Sequence, residues 1–295
     1  MDTPQTSLPQ NSYANFTPPP QQQQSVVTPD NPPWGILGAL GIWILSFVLM
    51  LAIQLVFLVG YIIYRGVGLS ELAVFITKDP SALFFAVLSI IPAHLLTLGF
   101  AWLLVTKIGK HPFLPTLGWD WTREFTFWRC AGLAVGLLLL GLGIIKLTGN
   151  PQTELDRLIE SSRATALATA FLATVTAPFV EEVIYRGILY SPLQRAIGKN
   201  WAVAAVVLLF AAIHVPQYWP SFGVIGMILL LSFVLTAIRA RTGSLLPCFI
   251  IHLIFNGIQS VLIVLSPYIE QPAPVTPPVP SVLLPFIELL ARTCW

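Results

Sequence analysis

Long apolar blocks, each closed by a short polar stretch, organise this chain. Seven of them, at 34–64, 81–106, 128–147, 164–190, 201–214, 222–238 and 244–265, read as membrane-spanning helices, since about 20 mostly apolar residues cross a bilayer. The pattern predicts an all-α fold: a polytopic membrane helix bundle of about seven transmembrane helices, with eight as the alternative count. Trp34, Tyr61 and Tyr64 sit near the ends of the first span, where interfacial anchors are expected. The second span is interrupted by Pro92, and His94 beside that kink reads as a packing residue outside any site. In the third, Gly132, Gly136, Gly141 and Gly143 would let neighbouring helices approach closely. The last four spans differ, because each carries polar side chains at helical spacing.

The segments between and around the spans set the domain boundaries. Residues 1–33 contain no Lys or Arg and are rich in Pro, Gln, Asn, Ser and Thr, a composition expected of a disordered tail. Residues 34–163 hold the first three spans, followed by a helix break at Gly149-Asn150-Pro151 and a charged segment, 154–163, expected as a helix along the membrane interface. Residues 164–266 hold the polar spans. Within them, Ser191-Pro192 opens a turn reaching Asn200, and Pro216 closes the fifth span. Residues 267–295 form a Pro-rich tail, with a short interfacial helix expected over 281–291.

Composition agrees with a membrane location. Of the 295 residues 56% are hydrophobic and only 9% charged, with mean hydropathy +0.79, whereas soluble domains carry about 25% charged residues. A net charge of +2 with scattered Lys and Arg is too small to argue for a nucleic-acid partner, and none is expected. Cys130, Cys248 and Cys294 form no CxxC pair and read as ordinary helix residues. The side of the membrane holding the N-terminus would also hold Lys107, Lys110, Arg123, Arg129, Arg195, Lys199, Arg239 and Arg241. The other side would hold Arg65, Lys78, Lys146, Arg157, Arg163 and Arg292. The surplus on the first side predicts a cytoplasmic N-terminus, with the protein expected in a bacterial cell membrane.

Ionisable groups inside such helices need an explanation, because each costs about 2.5–3.5 kcal/mol even on the lenient insertion scale. Glu181-Glu182-Val183-Ile184-Tyr185-Arg186 places three in one stretch. Glu182 and Arg186, four apart, share a helix face and can pair; Glu181 points about 100° away and stays free. Pro178 removes the bond to the Thr174 carbonyl and should kink the helix beside the carboxylates. Two later spans add His214, one turn after Phe210, and His252, one turn before Asn256. A carboxylate, two imidazoles and an amide could bind and activate a water or a metal, with either His or Glu as ligand or base. Asn256 could donate to a tetrahedral oxyanion. There is no HExxH motif and no Ser-His-Asp arrangement.

The ordered set Glu181-Glu182-x-x-x-Arg186, Phe210-x-x-x-His214 and His252-x-x-x-Asn256 resembles the signature of the CPBP family over residues 165–265. That family comprises type II CAAX prenyl proteases and bacteriocin-processing (Abi) intramembrane proteases. The resemblance implies a CAAX prenyl protease-like metalloendopeptidase cutting peptide bonds of membrane-associated proteins or peptides within or at the bilayer. It implies catalytic roles for Glu181, His214, His252 and Asn256, with Glu182, Arg186 and Phe210 in support. Glu181, His214 and His252 are the ligands if a divalent metal such as zinc is present; a metal-free glutamate mechanism fits the same residues. The rival readings are a non-catalytic bacteriocin-immunity or partner-binding protein on the same scaffold, and a proton-coupled transporter.

Overall fold

The computed structural model describes residues 27–68, 70–149 and 151–269, with side chains as far as residue 265. The helices are α1 (Ile36–Arg65), α2 (Leu72–Lys78), α3 (Pro80–Leu88), α4 (Ile90–Thr106), α5 (Phe113–Leu117), α6 (Phe127–Thr148) and α7 (Glu154–Glu160). They continue with α8 (Arg163–Phe171), α9 (Ala177–Glu181), α10 (Tyr190–Ile197), α11 (Lys199–Tyr218), α12 (Phe222–Thr242) and α13 (Leu246–Ile269). Two π-helical segments, Leu172–Thr176 and Glu182–Leu189, splice α8, α9 and α10 into one continuous helix, Arg163–Ile197. Among the described residues seven helices are long and apolar enough to cross a membrane: α1, the α3–α4 pair, α6, the spliced helix, α11, α12 and α13. The protein is an all-α, multi-pass membrane bundle.

Short-range chemistry sets several helix starts. Asp79 accepts hydrogen bonds from the Ser81 and Ala82 N–H groups at 3.0 and 2.9 Å, with Pro80 at the first helical position of α3. Thr153 and Asp156 form a reciprocal capping box on α7, and Ser162 caps α8. One core packs α1, α4 and α11 around the spliced helix, through Trp34, Val105, Val183, Ile188 and Val206. A second joins α6, α12 and α13 through Cys130, Leu137, Leu235 and Ile251.

The spliced helix continues where a turn at Ser191-Pro192 was expected. Pro192 has no N–H for the carbonyl one turn back, that of Ile188; the Trp34 indole N–H donates to that oxygen at 3.0 Å instead. Trp34 is therefore buried rather than an interfacial anchor. Tyr61 is buried too, stacked on Phe75 and accepting from Arg65, whereas Tyr64 is exposed. The fifth span also outruns its proline: α11 passes Pro216 and ends at Tyr218, whose ring stacks on that of His214. Of the four glycines of α6, only Gly141 meets a neighbour, the Met227 side chain; a Cβ at Gly132, Gly136 or Gly143 would meet nothing within 4 Å. The polar stretch between the first two spans contains α2.

Residues 27–33, expected in the disordered tail, are strapped across the ends of α10 and α12. Arg239, counted from sequence among the loop charges, is wholly buried. It donates to Asp30 Oδ1 and the Pro29 carbonyl, both at 2.9 Å, to Ser191 Oγ at 3.0 Å and to the Arg186 carbonyl at 3.2 Å. Its burial narrows the charge margin on which the cytoplasmic N-terminus rests. Arg195 holds the same strap through the Trp34 carbonyl, at 2.6 Å. The Pro/Gln tract at 18–24, Cys294 and the helix expected at 281–291 lie outside the described residues.

One glycine is demanded by a close approach. Gly118 has φ +80°, and a Cβ there would run into the Gly243 carbonyl oxygen, while its own carbonyl accepts from Leu245 N–H at 2.7 Å. Gly118→Ala is expected to destabilise the fold by roughly 1–3 kcal/mol, read as a lower melting temperature in detergent; a wild-type melting curve would contradict the role.

Candidate active site

Glu181 closes α9, the five-residue α-helical stretch between the two π-helical segments. Where sequence predicted a kink at Pro178, the structure widens the helix instead. The Ala177 N–H reaches back five residues to the Leu172 carbonyl, a form common at functional sites. Glu181 and Glu182 then diverge. Glu182 turns inward and is fully buried, with Arg186 Nη1 at 3.0 Å from Oε1. Arg186 spends its other donors on Ser232 Oγ (2.8 Å), the Ser232 carbonyl (3.2 Å) and Thr236 Oγ1 (3.1 Å). Its guanidinium lies 4.6 Å from the Phe210 ring centroid. The buried charge is thus paired and hydrogen-bonded, as burial requires. Within the pair, Glu182 Oε2 has no hydrogen-bond partner among the described residues.

Glu181 turns the other way, towards the two histidines. Its Oε1 lies 4.0 Å from His214 Nε2 and its Oε2 3.7 Å from His252 Nε2. Both distances exceed a direct hydrogen bond and suit one bridging water. The far nitrogen of each imidazole is fixed. His214 Nδ1 lies 2.7 Å from the Phe210 carbonyl oxygen, which can only accept, so Nδ1 carries the proton. His252 Nδ1 lies 2.8 Å from Glu182 Oε1 and donates to that carboxylate. In the neutral imidazoles both Nε2 lone pairs therefore face the Glu181 carboxylate. Phe210 supports the group, with ring centroids 4.7 Å from His214 and 6.0 Å from His252. Side-chain exposure grades outward from His252 at 3% to His214 at 16% and Glu181 at 21%.

Asn256 lines the same cavity, but its Nδ2 donates to the Ala173 carbonyl at 3.0 Å. His94, set aside on sequence as a packing residue, lines the cavity as well, with Nδ1 2.9 Å from Thr176 Oγ1. The signal it shares with His214 and His252 is an imidazole within an apolar span; it lacks the motif spacing that singled those two out. The cavity encloses about 580 Å³. Beyond Glu181 its wall is mainly apolar, with Leu138, Leu142, Met227, Leu231 and Phe255 prominent.

Among the described residues no three His, Cys, Asp or Glu side chains stand at metal-holding geometry. The donor chemistry fits a divalent ion nonetheless. Metal-binding imidazoles have one nitrogen free and the other donating to a carboxylate or carbonyl, as His252 and His214 do.

Residues 163–258 match the family described as Type II CAAX prenyl endopeptidase Rce1-like. The matched stretch contains Glu181, Glu182, Arg186, Phe210, His214, His252 and Asn256, while the strap, α1 to α7 and His94 lie outside it. No curated protein and no solved structure matches the chain. The paired carboxylates and the two imidazoles thus lie within a stretch that matches the Rce1-like CAAX protease (CPBP family) domain, set in a multi-pass membrane bundle.

Proposed function

We propose that the protein is an intramembrane endopeptidase that hydrolyses peptide bonds of membrane-associated proteins or peptides with a Glu/His-activated water. The observation that carries this reading is the convergence of both Nε2 lone pairs on the Glu181 carboxylate at the edge of an apolar cavity. A water between them loses a proton to Glu181 as its oxygen attacks the carbonyl carbon. Glu181 then returns the proton to the departing amine nitrogen, so that one water is consumed and an acid and an amine leave. His252, held by Glu182, orients the water. His214, more exposed, stands on the substrate side. Glu181, His214 and His252 are the residues that would hold a divalent metal, which when bound would polarise the water and the scissile carbonyl. The cavity's apolar wall suits a substrate segment that reaches the site from the bilayer.

Purified protein in liposomes should cleave a membrane-anchored reporter, and His214→Ala should slow cleavage about 10²-fold or more. Equal rates in a His214→Ala variant that inserts and accumulates would return the protein to a non-catalytic scaffold. Exhaustive chelation sorts the two ways in which these residues can work. Loss of activity restored by one equivalent of a divalent ion assigns the metal, and full retention with no metal by elemental analysis assigns Glu181 and the imidazoles alone.

A further inference from the structure

Asn256 and His94 take no part in activating the water, yet both bond one short stretch of the chain ahead of Glu181, Asn256 at a backbone carbonyl and His94 at a side-chain hydroxyl. In the π-helical segment Leu172–Thr176 the Ala177 N–H bonds the Leu172 carbonyl. The next bond of that series would run from residue 178 to Ala173, and Pro178 has no N–H to give. The Ala173 carbonyl is thereby orphaned inside an apolar bundle, where an unmade hydrogen bond is costly. Asn256 Nδ2, from α13, donates to it at 3.0 Å. At the other end of the segment His94, from α4, bonds Thr176 Oγ1 at 2.9 Å.

We propose that Asn256 and His94 are positioning residues that hold the π turn open, and that the turn sets the rotation of the Glu181 carboxylate towards His214 and His252. This rests on Glu181 being the group that activates water. A π turn contains one residue more than an α turn, so closing it would rotate α9 by about 100° relative to α8. The Glu181 oxygens would then no longer face the two Nε2 atoms. His94 lies outside the matched protease domain, so the device ties the N-terminal spans to the site. The orphaned carbonyl also explains why an amide stands at position 256: a side-chain N–H donor is what Ala173 lacks.

The test restores the missing backbone donor. Asn256→Ala is expected to lower kcat at least 10-fold with KM within about twofold. In the Pro178→Ala background, where residue 178 has an N–H, adding Asn256→Ala is expected to change kcat less than twofold. His94→Leu should lower kcat several-fold and His94→Asn should recover most of it. A kcat loss from Asn256→Ala of the same size in both backgrounds would overturn the proposal and place Asn256 on the substrate; unchanged kcat in His94→Leu would overturn the part played by α4. Should Pro178→Ala itself be inactive, melting temperatures decide. A drop from Asn256→Ala confined to the proline background supports the cap, and equal drops in both backgrounds refute it. Failure here leaves wild-type cleavage dependent on Glu181, whereas failure of the protease reading removes that dependence.

Discussion

Glu181→Gln is expected to slow reporter cleavage by about 10²–10⁴-fold, the usual share of a positioned general base, while the protein inserts, accumulates and melts as wild type. Gln keeps the size of the side chain but cannot take a proton, so the substitution removes the chemistry and little else. Glu181 is suited to such a test because no hydrogen bond fixes either of its oxygens among the described groups: the nearest imidazole nitrogens stand 3.7 and 4.0 Å away. Nothing in the core relies on it. Cleavage at the wild-type rate by a folded Glu181→Gln protein would rule out the mechanism and leave the proton to be taken elsewhere.

The largest effect on stability is expected at its neighbour. Arg186→Met should destabilise the fold by about 3–5 kcal/mol, because removing one member of a buried pair strands the other charge. Glu182 is fully buried, holds both Arg186 and His252 through Oε1, and has no partner at Oε2. Without the guanidinium its charge would face apolar side chains and one imidazole. Ser232 and Thr236 would lose their donor as well. The measurement is accumulation in membranes together with denaturant unfolding in detergent. The double variant Glu182→Gln/Arg186→Met should be less damaged than Arg186→Met alone, since no charge is then left stranded. A single variant as stable as wild type would show that the pair contributes nothing net.

The division between Glu181 and Glu182 was legible from sequence because helical spacing dictates it: position 182 shares a face with 186, and 181 does not. The spans were legible for a similar reason, since twenty apolar residues leave the chain few other options. What escaped the sequence depends on partners distant along the chain. Pro192 and Pro216 read as helix ends, yet the helices run through them, and at Pro192 the freed carbonyl is met by Trp34, 154 residues away. Arg239 looked like a loop charge, although Ser232, Thr236 and Arg239 lie on one face of α12 and hinted at a buried polar stripe. The strap at 27–33 and the Trp34 that follows it are held mainly through backbone carbonyls, at Pro29, Pro32 and Trp34, and a carbonyl belongs to every residue type. Composition could not distinguish it from the tail before it.

That strap also bears on the order of events during synthesis. Asp30 and Arg239 are 209 residues apart, so at roughly 5–20 residues per second the first waits on the order of 10–40 s for the second to be made. Until then Pro29 and Asp30 lack the guanidinium that holds them, and the His252 that faces Glu181 does not yet exist. The clamp across the ends of α10 and α12 and the cluster of Glu181, His214 and His252 are therefore completed almost together, by the last two spans to leave the ribosome among those described. A nascent chain halted before α12 would carry Glu181, His94 and His214 but neither His252 nor Asn256.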